Sequence, residues 1–176
     1  MATSDSTTSE PVWTAPAKTI QVHPDLLNTP WCLALLNDPT TKVEAHHDWH
    51  GTLFKDTFGT SDVLRTYQSL RTAAGEAVAL MSLGHGVAGH KNIMHGGMVA
   101  TLLDECMGYA TGIPTFTAYL NVTYKNPVPV PSILMSRAVT TKIEGRKVFV
   151  SSSLEDGNGT VYASCEALFI AIQAKL

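Results

Sequence analysis

A short run in the middle of the chain combines residue types and spacing suited to chemistry: His95-Gly96-Gly97, followed by Thr101 and Asp104. The first N–H groups of a helix have no internal partner and lie at the positive end of its dipole. Glycines there leave those groups uncovered, so a carbonyl oxygen gaining negative charge could be held, an effect often worth a few kcal/mol of barrier. Gly97, Thr101, Asp104 and Gly108 follow i, i+4, i+7, i+11 and share one helix face. At ~1.5 Å rise per residue Asp104 lies some 12–14 Å from the helix start, too far to act on the same atom within one chain. Two antiparallel copies of the helix would bring Asp104 of one to Gly96 and Gly97 of the other, which favours a site shared across a dimer. A plainer alternative is a buried carboxylate satisfied by backbone or Thr101, with the glycines serving helix packing; the residues alone leave both open.

The elements that must position these residues are legible around them. Residues 95–110, HGGMVATLLDECMGYA, form an almost wholly apolar helix ended by Gly112-Ile113-Pro114. The glycine-rich stretch 84–94 leads into it. Strands are predicted at 62–71 and at 76–83, the latter so apolar that both faces must be buried. Four more follow at 116–124, 133–143, 147–154 and 160–172, with Glu144-Gly145 and Asp156-Gly157-Asn158-Gly159 as hairpin turns. Strands, one buried helix, then a meander is not the βαβ alternation of a dinucleotide fold. The expected class is α+β: an antiparallel sheet of five to six strands wrapped around one long central helix. Ahead of it, residues 23–38 predict a helix with Pro24 at its first position and a break at Pro30. The expected organisation is a disordered tail over 1–20, a helix-and-loop extension over 21–60, and the main domain over 61–176.

Composition excludes several classes. The 176 residues suit one domain with a real core, and their net charge of −3 with no long basic run argues against nucleic acid. No apolar run approaches the ~20 residues of a membrane span. Cys32, Cys106 and Cys165 are odd in number and widely spaced, as expected of reduced core residues. His46-His47-Asp48-Trp49-His50 has two histidines at i, i+4, but no second cluster completes a four-ligand site, so no metal is expected. The terminal Ala174-Lys175-Leu176 is close to the Ser-Lys-Leu address and sets peroxisome, otherwise cytoplasm, as the expected location.

His95-Gly96-Gly97, Asp104 nine residues after the His, and the strand Thr117-Ala118-Tyr119-Leu120-Asn121-Val122-Thr123-Tyr124-Lys125-Asn126-Pro127 together resemble the hotdog-fold acyl-CoA thioesterases, the phenylacetate-pathway branch and its eukaryotic relatives. The similarity spans roughly residues 61–172. It implies a hotdog fold, in dimers that often pair into dimers of dimers, acting on an acyl-CoA thioester. It implies no cofactor beyond the coenzyme A of the substrate. By that resemblance Gly96 N–H polarises the thioester carbonyl and His95 positions the turn. Asp104 of the partner subunit acts as base or nucleophile, and Thr117 orients the water or the carboxylate. Where several members carry an amide side chain, six residues before the His, this chain has Gly89, with His90 and Asn92 nearby. Gly97, Thr101, His90 and Asn92 are the remaining candidates around the substrate, and Arg146 and Lys147 for coenzyme A phosphates. The competing functions are a hotdog dehydratase or tailoring enzyme, whose usual His about five residues after the Asp is missing, and a non-catalytic acyl-CoA-binding module.

Overall fold

The computed structural model describes residues 21–44 and 52–172. The 1–20 tail, the His46–His50 stretch and the Ala-Lys-Leu terminus therefore lie outside the described residues. In chain order come α1 (Pro24–Leu27), α2 (Pro30–Asn37), β1 (Lys42–Val43), a single π-turn (Leu53–Thr57), β2 (Leu64–Arg71) and β3 (Ala77–Leu83). The small ribbon β4 (Ala88–His90) and β5 (Ile93–Met94) follows, then α3 (Gly96–Ala110). The chain continues through β6 (Thr115–Tyr124), β7 (Ser132–Glu144), β8 (Lys147–Glu155) and β9 (Val161–Ala171).

One sheet, wholly antiparallel, runs in the order β1-β2-β3-β7-β8-β9-β6. It has seven strands against the expected five to six. The six long ones are those the alternation predicts; the seventh, β1, has two residues, too few to show a period. The β4–β5 ribbon was expected as loop for the same reason, its glycines and short span hiding the pairing of His90 with Ile93.

Period two explains why β3 is apolar throughout. Ala77, Ala79, Met81 and Leu83 face α3, whereas Val78 and Leu80 face the other way, under α1 and α2. The strand is thus covered on both sides, and each of its residues is buried. On the inner face α3 lays Met98, Val99, Leu102, Leu103, Cys106 and Met107 across β3, β6, β7, β8 and β9. On the outer face Leu26 and Cys32 close over Leu70, Val78, Leu80 and Met135. The helix breaks at Pro30 as expected, and the proline opens the second piece at the position where its missing N–H costs nothing. Asp25, in the first turn of α1, accepts a hydrogen bond from buried Ser82 on β3 and so ties the extension to the sheet.

The Asp156–Gly159 turn does more than reverse the chain. Gly157 sits at φ +73°, and a Cβ built on it would fall 2.2 Å from the Trp31 ring of α2. Gly157→Ala therefore combines left-handed strain with an overpacked contact, each costing about 1–3 kcal/mol. Chemical denaturation should show a loss of at least about 2 kcal/mol. Gly145→Ala at the other hairpin should lose less, since φ is +58° there but nothing lies within 4 Å and only the strain of about 1–2 kcal/mol applies.

Candidate active site

The start of α3 is built by His95. Its backbone is extended, at φ −64° and ψ 133°, and its Nδ1 accepts the Gly97 N–H at 2.9 Å, capping the helix. The next free donor is Gly96 N–H, which has no hydrogen-bond partner among the described residues. Gly97 N–H, expected to help hold substrate, is already committed to the cap. Gly89 explains why no amide side chain stands six residues before His95. A Cβ there would lie 2.9 Å from the His95 Cα and ring, so the capping histidine occupies the space.

One turn along, Thr101 donates to Gly97 O at 2.9 Å and does not reach Asp104, so the plain alternative that Thr101 satisfies the carboxylate does not hold. The partner is Thr117, whose hydroxyl donates to Asp104 Oδ1 at 2.9 Å. Local strand geometry makes this contact possible. β6 pairs with β9 through Thr117–Phe169 and then Tyr119–Leu168, leaving Ala118 as one extra residue. From Leu120 onward even-numbered residues face α3, with Leu120 and Val122 packed on the core. An odd-numbered residue would point away, but the bulge at Ala118 reverses the alternation and turns Thr117 inward.

Asp104 is half-buried, and that burial holds its pKa above the ordinary carboxylate range, with the Thr117 hydrogen bond pulling the other way. Neighbouring Glu105 is also raised, first by burial and then by the Asp104 charge. Asp104 accordingly takes up a proton more readily than a free aspartate. Thr117→Ala removes the hydrogen bond that lowers the pKa. The acid limb of a kcat/KM–pH profile should move to higher pH in this variant, and an unshifted limb would separate Asp104 from the titration.

Asp104, Glu105 and Thr117 line one cleft of about 1040 Å³, between the C-terminal half of α3, β2 and the π-turn. Gly96 lines a different and smaller groove of about 270 Å³, with Tyr124, Lys125 and Val128. The two groups expected to act together thus open into separate spaces of the same chain. Tyr124 escaped the sequence reading as a site residue. Its hydroxyl donates to Gly96 O at 2.9 Å and pins the helix start. The signal was present, since Tyr124 shares the parity of Leu120 and Val122. Lys125 is the cation beside this groove.

Other candidates are not gathered here. His90 and Asn92 sit at the β4–β5 turn, Asn92 in the left-handed region at φ 59°, and neither lines the cleft or the groove. Arg146 gives its Nε to Ala171 O at 3.0 Å at the β7–β8 hairpin, and Lys147 begins β8 beside it. Both are outside the two spaces. Among the described residues no group of His, Cys, Asp and Glu has metal-binding geometry, and no helix is long and apolar enough to cross a membrane.

An antiparallel sheet packed around one long apolar helix is the hotdog architecture. The E. coli PaaI protein of the phenylacetic acid degradation operon shares the fold at TM-score 0.60, 13% identity and 70% and 87% cover of the two chains. A solved thioesterase superfamily protein matches at 27% identity and TM-score 0.56, covering 59% of this chain and 53% of its own. Residues 91–163 match the family model described as thioesterase superfamily. Bovine acyl-coenzyme A thioesterase THEM4 is 35% identical over 96 residues, 54% of this chain and 40% of its own length. The chain spans less than half the length of the curated relatives it matches.

Proposed function

We propose that the protein is an acyl-CoA thioesterase that works as a homodimer, hydrolysing the thioester to a free acid and coenzyme A without a further cofactor. The observation that carries this reading is the division of labour along α3. A free N–H at Gly96 and a carboxylate with a raised pKa eight residues later open into different spaces of one chain. Such a helix completes two sites when it lies antiparallel to its copy, with Gly96 facing Asp104 of the partner subunit. Gly97, Ala100, Thr101, Asp104 and Gly108 form the uncovered stripe of α3, opposite its buried face, and are small enough for close approach. At the sheet edge β6 leaves Phe116 69%, Tyr119 50% and Tyr124 55% exposed, a surface suited to the same contact. The THEM4 and THEM5 relatives named as acyl-coenzyme A thioesterases support the substrate class.

In this reading Asp104 of one subunit takes a proton from water, and the oxygen attacks the thioester carbonyl carbon. Negative charge gathers on the carbonyl oxygen, where Gly96 N–H of the other subunit and the α3 dipole hold it. The tetrahedral adduct then expels the thiolate, which takes the proton from Asp104. Lys125, beside the Gly96 groove, is placed for the phosphates of the leaving coenzyme. The decisive experiment follows free thiol release from a panel of acyl-CoA thioesters. Turnover by the wild type is expected. Calorimetric binding without thiol release across the panel would make the protein an acyl-CoA-binding module instead.

A further inference from the structure

The cleft that Asp104 lines holds a second carboxylate that hydrolysis does not use. On α3 the cleft is fronted by Asp104, Glu105, Gly108 and Tyr109, an i, i+1, i+4, i+5 set on one side of the helix, while Leu102, Leu103, Cys106 and Met107 are buried. The space thus extends from Asp104 towards the C-terminal end of α3. Asp104 is engaged by the Thr117 hydroxyl. Glu105 is half-buried and makes no hydrogen bond or ion pair with any described residue, so its charge is neither balanced nor fully solvated. The two arginines of the cleft are committed to other groups. Arg71 donates to Gly75 O at 3.3 Å and to Tyr109 O at 3.1 Å, and its Nε lies 3.9 Å from the Glu44 carboxylate. Arg65 donates to Ser61 O at 2.9 Å and pairs with Asp25 at 3.8 Å. Lys55, on the π-turn, is exposed to water, which screens its charge.

We propose that Glu105 is a specificity-determining residue that turns away acyl groups ending in a carboxylate, so that the thioesters hydrolysed are those whose acyl group carries no negative charge. The inference rests on the thioesterase reading, because the acyl group must enter the cleft that Asp104 lines. Its chemistry is repulsion alone. By helix rise Glu105 and Tyr109 stand ~1.5 Å and ~7.5 Å beyond Asp104 along the α3 axis. A short acyl chain running from Asp104 along this side of the helix places a terminal carboxylate beside two like charges, with the Arg71 guanidinium already engaged by Glu44. Burial and then the Asp104 charge raise the Glu105 pKa, so this part of the cleft already disfavours negative charge. A terminal amide of the same size carries no charge and offers its N–H groups to Glu105 instead. Selectivity of this kind comes from a cost imposed on the wrong substrate rather than from added contacts to the right one.

The test compares CoA thioesters of short dicarboxylic acids, glutaryl and adipoyl, with the same acyl groups carrying a primary amide in place of the free carboxylate. Size and polarity are then matched and only the charge differs. For at least one chain length the wild type should show kcat/KM roughly tenfold higher for the amide member, a modest share of what close like charges cost. Glu105→Gln should raise kcat/KM for the carboxylate member and bring the ratio close to one. Glu105→Ala, the second variant, should move the ratio the same way. Equal turnover of both members by the wild type, or faster turnover of the carboxylate member, overturns the proposal while leaving thioester hydrolysis intact. A ratio unchanged in both variants also overturns it, since the cleft would then reject the carboxylate without Glu105. If the wild type cleaves no thioester, the hydrolase reading fails. Calorimetric binding of the same pairs then decides on Glu105, with weaker binding of the carboxylate member, recovered in Glu105→Gln, upholding its role and equal binding overturning it.

Discussion

In the thioesterase reading, Asp104→Asn should leave a folded protein whose thioester turnover falls by about 10²–10⁴-fold, the range for loss of a positioned general base. The amide keeps the size of the carboxylate and still accepts from the Thr117 hydroxyl, so the contact across the bulge is preserved. What it loses is the ability to take a proton. Stability should move the other way. Because burial raises the Asp104 pKa in the folded chain, its ionisation opposes folding. The aspartate's contribution is fully present below the ordinary carboxylate pKa and is lost as pH rises through the raised one. Asp104→Asn should therefore be more stable than wild type at neutral pH, with the difference shrinking as pH falls towards 4. A variant less active and less stable at every pH would point to a structural carboxylate. A variant with unchanged turnover would remove Asp104 from the chemistry.

Gly96→Pro tests the other half of the site, and local geometry makes it a mild change for the fold. Gly96 is the first residue of α3, where proline is favoured, and His95 before it already has the extended backbone that proline requires. A Cβ at this position meets the Tyr124 ring at 3.5 Å, an ordinary contact. The substitution deletes the one N–H left free by the His95 cap, and kcat should fall by roughly 10²–10³-fold. Gly96→Ala retains the N–H and should retain most of the activity. Mixing the two inactive chains, Gly96→Pro and Asp104→Asn, then distinguishes a shared site from a self-contained one. A mixed dimer has one site with both intact groups and one with neither. An equal mixture with random exchange should regain roughly a quarter of wild-type activity. If each chain holds a complete site, the mixture stays inactive.

These expectations draw on the sequence and on the fold in different proportions. Local pattern was enough for α3, for the six long strands and for both hairpin turns, because helix and strand periods and positive-φ glycines are properties of neighbouring residues. The same reasoning put Gly96 and Asp104 on one helix at a spacing that only a second copy could close. It could not assign the partner of Asp104. Whether Thr101, four residues from Gly97, or Thr117, on another element, reaches the carboxylate depends on one extra residue at Ala118. That residue reverses which side of β6 faces the helix, and its effect exists only in the pairing with β9. Nor could spacing show that His90, Asn92, Arg146 and Lys147 sit outside the two clefts. The strand parity of Tyr124 put it on the helix side, but a tyrosine there reads as packing until its hydroxyl is located on Gly96 O. The sequence by itself determined the helix, its free donor and its carboxylate, all set by residues a few positions apart. Only the tertiary structure decided what faces them, because those contacts are made by strands distant in the chain and brought together by the sheet.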